Sequence, residues 1–132
     1  MQWESRLSIG IKQFDEHHKE LIRIIAELRN SKNTGESHVY LKNLLFELLS
    51  YTKYHFTAEE RMMEKHHYPE FEKHKKEHIE LTEQVEYFLD RYSLGKTDLD
   101  DEIFEFLKKW LFDPILEKDK KMGEYLHIRG VE

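Results

Sequence analysis

An all-α fold, an antiparallel up-down four-helix bundle preceded by an N-terminal arm, is what this sequence predicts. Three observations predict it. Apolar residues recur at steps of three and four along most of the chain, and no segment alternates with period two. Only 5 Gly and 2 Pro occur, and they gather with Ser, Asn and Asp at a few places that cut the chain into long periodic segments. The length, 132 residues with 39% apolar, suits one core and therefore one domain spanning residues 1–132.

Residues 1–13 form the arm. The first helix starts near Asp15, a good cap residue, and carries Phe14, His18, Leu21, Ile22, Ile25 and Leu28 on one stripe until Ser31-Lys-Asn-Thr-Gly35 stops it. The second runs from about Ser37 to His66, with Leu41, Leu45, Leu48, Thr52, His55, Glu59 and Met62 in line. Pro69, favoured in a first turn, opens the third, whose face holds Phe71, His74, His78, Leu81, Val85, Phe88 and Tyr92 before Ser93-Leu-Gly-Lys-Thr97 ends it. The fourth starts near Asp98 and carries Ile103, Leu107, Trp110 and Leu111 up to Pro114. A proline there removes a backbone hydrogen bond and pushes on the carbonyl of Trp110, so a kink is expected, or a break at Phe112 followed by a new short helix.

The composition excludes several classes. Lys and Arg total 21 against 27 Asp and Glu, a net charge of −6, so the surface is not one that tracks phosphate backbones, and no nucleic-acid partner is expected. With 8 Phe, 7 Tyr and 2 Trp the chain is too aromatic to be disordered. The absence of cysteine excludes disulfides, thiolate metal sites and cysteine nucleophiles together. No basic stretch followed by an apolar one opens the chain, and no apolar run approaches the ~18 residues that span a bilayer, so the expectation is a cytoplasmic protein with no membrane partner. Nine histidines stand out, a few-fold above ordinary usage.

Those histidines lie where apolar residues belong. His55 and Glu59 are four apart, as are His74 and His78, so each pair points from one helix face, and His18 sits on the apolar stripe of the first helix. One buried imidazole with one partner is ordinary. Four histidines and a glutamate converging from three helices would leave many polar atoms without water, at about 1–3 kcal/mol for each unsatisfied group. A metal removes that cost. Imidazole with carboxylate suits iron, zinc, copper or nickel and does not suit calcium or magnesium. Five donors exceed the four of a structural zinc, so two ions bridged by a carboxylate fit better, and Glu59 is placed to bridge.

The segments Gly10-Ile-x-x-Phe-Asp15-Glu-His-His18, His55-Phe-x-x-Glu59-Glu60, Tyr68-Pro69-x-x-x-x-His74-x-x-x-His78 and Trp110-Leu-x-x-x-x-x-x-x-Asp119-Lys together resemble the hemerythrin family, in particular its single-domain bacterial members. The resemblance covers essentially the whole chain in the right order. It implies a four-helix bundle holding two non-haem iron ions with a bridging oxo or hydroxo group, and reversible binding of dioxygen or a similar small ligand. Carried over by position, His18 and His55 serve one iron, His74 and His78 the other, and Glu59 and Asp119 bridge. The chain departs from the family at one ligand: a histidine usually stands where this sequence has Pro114, leaving the second iron with two protein histidines rather than three. Water, an outside ligand or a carboxylate such as Glu117 then has to fill the position.

Two function classes follow from the resemblance: a non-catalytic dioxygen carrier, store or sensor input, and an enzyme whose more open iron lets dioxygen, peroxide or nitric oxide react further. A remote third reading is a zinc peptidase, because His74-Lys-Lys-Glu77-His78 matches the H-x-x-E-H signature, but Glu77 points about 100° away from the line of the histidines. Glu64-x-x-His67 and Glu124-x-x-His127 mimic ferritin-like di-iron motifs yet fall outside the apolar stripes. His17 reads as surface or supporting, His38 and His127 as solvated, and His66 and His67 as donors for the carbonyls at the end of the second helix. Trp3, Tyr54, Phe56 and Trp110 read as core or pocket wall. The sequence names no protein partner.

Overall fold

The computed structural model describes residues 2–132, and among them there is no strand. A short 3₁₀ turn at Ser5–Leu7 is followed by α1 (Lys12–Asn33), α2 (His38–Lys65), α3 (Phe71–Ser93), α4 (Asp101–Pro114), a π-helical stretch (Ile115–Asp119) and α5 (Lys120–Ile128). α1 packs on α2 and α4, and α2 packs on α3. Connections of only a few residues force neighbours to run antiparallel, and α4, the π stretch and α5 form one continuous fourth rod.

Caps and glycines set the ends. The Ser37 hydroxyl accepts from the Tyr40 N–H (3.2 Å) to start α2, and the Asp100 carboxylate accepts from the Ile103 N–H (2.9 Å) to start α4. Beyond α1, Gly35 at φ +79° lets its own N–H reach the Lys32 carbonyl and that of Glu36 reach Ser31, the six-to-one closure that satisfies a helix end. α2 closes the same way with a histidine, His67, at φ +55°.

Four boundaries differ from the sequence expectation. α1 begins at Lys12, because the Asp15 carboxylate turns back and accepts from the Ser8 hydroxyl (2.5 Å) and the Ile9 N–H (2.9 Å), pinning the arm rather than capping the helix. α3 begins at Phe71, two residues after Pro69. Asp98 accepts from the Leu99 N–H and pairs with Lys32 (3.0 Å), which leaves capping of α4 to Asp100. At Pro114 the chain does not break: α4 continues through it with helical dihedrals, and the turn widens so that the Lys120 N–H reaches the Ile115 carbonyl five residues back. The wider turn absorbs the missing proline N–H without ending the rod.

The arm is part of the core. Leu7, Ile9 and Ile11 are buried with Phe14, Leu21, Ile25 and Leu28 of α1 and Leu45 and Leu48 of α2. The backbone of Ile9 lies directly on Gly123 of α5, where any side chain would overlap the Ile9 carbonyl oxygen. Met63 is fully buried, while Met62 only packs against the core edge. No helix among the described residues is long and apolar enough to cross a membrane.

Candidate metal centre

Four elements contribute to one point in the bundle. α1 presents His18, α2 presents His55 and Glu59 one turn apart, α3 presents His74 and His78 one turn apart, and the π stretch ends on Asp119. All six residues come together, each 5% exposed or less, so bulk water does not reach them. Asp119 spans two histidines: one carboxylate oxygen lies 3.3 Å from His18 Nε2 and the other 3.1 Å from His74 Nε2. Glu59 spans the other two, its Oε1 lying 3.4 Å from His55 Nε2 and 3.1 Å from His78 Nε2. The donors form two groups, His18-His55-Glu59-Asp119 and Glu59-His74-His78-Asp119, with the atoms of each group within 4.8 Å of one another. Both carboxylates belong to both groups. Pro114 offers no donor, and Glu117, exposed on the surface, belongs to neither group.

Six atoms here are buried without a hydrogen-bond partner: His18 Nδ1 and Nε2, His55 Nε2, both oxygens of Glu59 and His78 Nε2. At about 1–3 kcal/mol each, that is a cost a folded protein carries only where something else takes the lone pairs. Electrostatics point the same way. Burial pushes Glu59 above the ordinary carboxylate range, with the nearby Asp119 adding to it. Asp119, although burial opposes it, is held below its usual range by the imidazoles of His18 and His74 against its two oxygens. His55 is driven well below its usual range by burial and by His18. Burial also works against a charged His78, but Glu59 and Glu60 lift it to about 9. Protons on imidazole here balance the carboxylates, the role that a cation fills more completely.

A second layer orients the imidazoles. The His78 Nδ1–H donates to the Glu60 carboxylate (2.8 Å), which turns the Nε2 lone pair inward, and the Phe56 ring stacks on His78 at 3.8 Å and 3°. His17 and His55 share a hydrogen bond between their Nδ1 atoms at 2.9 Å. Burial, then His18, lowers the affinity of His17 for a proton, and in the tautomer in which the His55 Nδ1–H donates to neutral His17 the His55 Nε2 lone pair is left free. His17 is thus buried and supporting. Sequence reading gave Glu60 no role, although a signal exists: the doublets His17-His18 and Glu59-Glu60 each set one residue on the buried stripe and its neighbour about 100° around, where it reaches the flank of a donor ring.

The other singled-out residues lie elsewhere. His38 stacks on Tyr92 (4.4 Å), and His127 is exposed. His66 and His67 do not serve the carbonyls of α2 through their side chains; backbone N–H groups close that end, and the Tyr125 hydroxyl donates to the His66 carbonyl (2.7 Å). Glu77 faces Lys118 (2.7 Å), away from the donor groups, which removes the base from the peptidase reading. Tyr54 is exposed, and Trp110 donates from Nε1 to the Leu81 carbonyl (2.9 Å), tying the fourth rod to α3 over the site.

Four cavities reach donor residues, and two of them touch Asp119. A small one of about 20 Å³ lies beside His18, His55 and Asp119, walled by Leu21, Phe56, Trp110 and Leu111. An open cleft of about 330 Å³ reaches His74, His78 and Asp119 from outside. Pro114 lines both.

A family model described as the hemerythrin HHE cation-binding domain matches residues 9–126. The bacteriohemerythrin of Pseudomonas aeruginosa is 32% identical over 117 residues, covering 89% of this chain and 75% of that protein. That of Stenotrophomonas maltophilia is 30% identical over 122 residues, covering 92% and 78%. A crystal structure of wild-type hemerythrin superposes with a TM-score of 0.88 at 26% identity, covering 96% of this chain and 97% of that one. With the family model, the sequence relatives and the fold all agreeing, the chain belongs to the hemerythrin family.

Proposed function

We propose that this chain, read as a single hemerythrin-like domain over residues 1–132, binds dioxygen reversibly at a non-haem di-iron centre. His18 and His55 would hold one iron, His74 and His78 the other, with Glu59 and Asp119 shared and an oxo or hydroxo group between the ions. The observation that carries the reading is the pair of donor groups that share both carboxylates and leave six buried atoms unpartnered. A mononuclear zinc site has no use for two shared carboxylates. Two ferrous ions held there would supply the electrons for reversible binding of dioxygen.

The protein's own contribution is placement and exclusion. His17 and Glu60 fix two imidazoles with Nε2 inward. Leu21, Trp110 and Leu111 wall a largely apolar cavity of about 20 Å³ beside His18 and His55, room for one small molecule. Carrier, store and sensor input are the roles this chemistry serves, and a cytoplasmic place is part of the proposal, checked by cell fractionation. The open cleft at His74 and His78 favours a second reading, in which the bound ligand reacts onward. Anaerobically reduced, iron-loaded protein separates the two. Visible absorption that rises with dioxygen and falls on degassing over repeated cycles supports reversible binding, whereas steady oxygen consumption at an electrode supports turnover.

A further inference from the structure

The two donor groups are not equally enclosed. The His18-His55 side looks into about 20 Å³, room for about one water, and the His74-His78 side looks into about 330 Å³. The larger figure lies within the range of sites that hold small organic ligands. Its floor carries His78, 3% exposed, whose Nε2 has no hydrogen-bond partner. Its walls include the Phe56 ring, Leu81 and Pro114, flat or apolar surfaces that favour a planar molecule.

The rim adds a chemical preference. Of the acidic side chains lining the cleft, Asp119 is buried against His18 and His74 and Glu77 pairs with Lys118, while Glu80, Asp113 and Glu117 are exposed and make no ion pair among the described residues. Such a rim repels anions and accepts hydrogen bonds. A cation at the floor repels cations and accepts a lone pair. A neutral molecule with a lone pair at one end and an N–H at the other satisfies both.

We propose that the cleft between α3 and the Pro114–Asp119 stretch is a ligand site for a small, neutral, planar nitrogen base of the imidazole class, which gives its lone pair to the cation at His74 and His78. The inference rests on the di-iron reading above. The N–H of the ligand donates to a rim carboxylate, and its ring lies along the Phe56–Pro114 walls. The chain thereby leaves one donor of that cation to be supplied from outside.

The test titrates imidazole into iron-loaded protein, followed by visible absorption and by calorimetry, with acetate as an anion of similar size. Pro114→Phe fills the cleft from its wall, and Pro114→Ala makes the same backbone change without filling it, so the pair separates occupancy from folding. The expected result is saturable binding of one imidazole per chain, weakened at least tenfold by Pro114→Phe, retained in Pro114→Ala, and at least tenfold tighter than acetate. Equal binding to both variants, acetate binding as tightly, or no saturable binding overturns the inference. Protein that holds two irons and takes up dioxygen yet ignores imidazole overturns this inference alone. Protein that holds no iron overturns the di-iron reading and the inference with it.

Discussion

Gly123→Ala tests how the arm positions the centre. An alanine Cβ there would overlap the Ile9 carbonyl oxygen and lie 3.0 Å from its carbon and 3.1 Å from the Ile9 Cβ, so backbone rather than a flexible side-chain tip must give way. Two responses bracket the cost. If the arm shifts locally, overpacking of this kind costs about 1–3 kcal/mol. If the arm lifts off, Leu7 and Ile9 lose about 1.5–3 kcal/mol each and the bond from Ile9 to Asp15 about another 1, roughly 4–7 kcal/mol together. Because Asp15 grips both Ser8 and Ile9, the local shift is the expected response. At about 2 kcal/mol it lowers the Tm by roughly 6–10 °C in a chain of this size. Thermal unfolding followed by circular dichroism on metal-free protein measures this, and trypsin cleavage after Arg6 reports whether the arm has lifted. Gly123 stands one turn after Asp119, so a displaced α5 also turns that carboxylate, and metal loading should fall with the Tm. A Tm lowered by less than about 2 °C, with Arg6 still protected, would show that the arm is not seated against Gly123 as described.

Glu59→Ala should strip both ions, whereas His18→Ala, His55→Ala, His74→Ala and His78→Ala each weaken one more than the other, because a single Glu59 oxygen faces both His55 and His78; elemental analysis across the series decides it, and a Glu59→Ala chain that keeps two ions refutes the bridge. In metal-free protein His78 keeps its proton up to pH about 9, so a cation must displace that proton at neutral pH and binds more tightly as pH rises, flattening above about 9. Equilibrium dialysis with ferrous ion at several pH values checks this, and an affinity flat between about pH 6 and 8 contradicts it. His67 holds φ +55°, a conformation that costs side-chain-bearing residues about 1 kcal/mol, so His67→Gly should raise unfolding stability by about 0.5–1 kcal/mol in urea melts.

The stripes made the bundle readable, because an apolar face must be buried whatever it packs on. They also exposed the centre: a histidine or glutamate on such a stripe is conspicuous, and His18, His55, Glu59, His74 and His78 all sit on one. Asp119 came from family resemblance alone, since it follows a proline where the periodic pattern stops. Less visible were features that depend on packing between distant segments. Asp15 has the chemistry of a helix cap, yet its carboxylate finds the arm, a choice decided by where Leu7 and Ile9 are buried. Pro114 has the chemistry of a break, yet a π turn carries the rod through, held by Trp110 bonded to α3 and by buried Ile115. His17 and Glu60 stand one residue off the stripes, where periodicity alone reads solvent. The contrast between the small and large cavities is a property of three-dimensional packing around Pro114 and has no local signature.

The most direct test of the central claim is the iron content of freshly purified protein, measured per chain by elemental analysis. The account requires two irons per chain, because two donor groups share Glu59 and Asp119. A single zinc, or no metal at all in protein that is folded and stable, would contradict it.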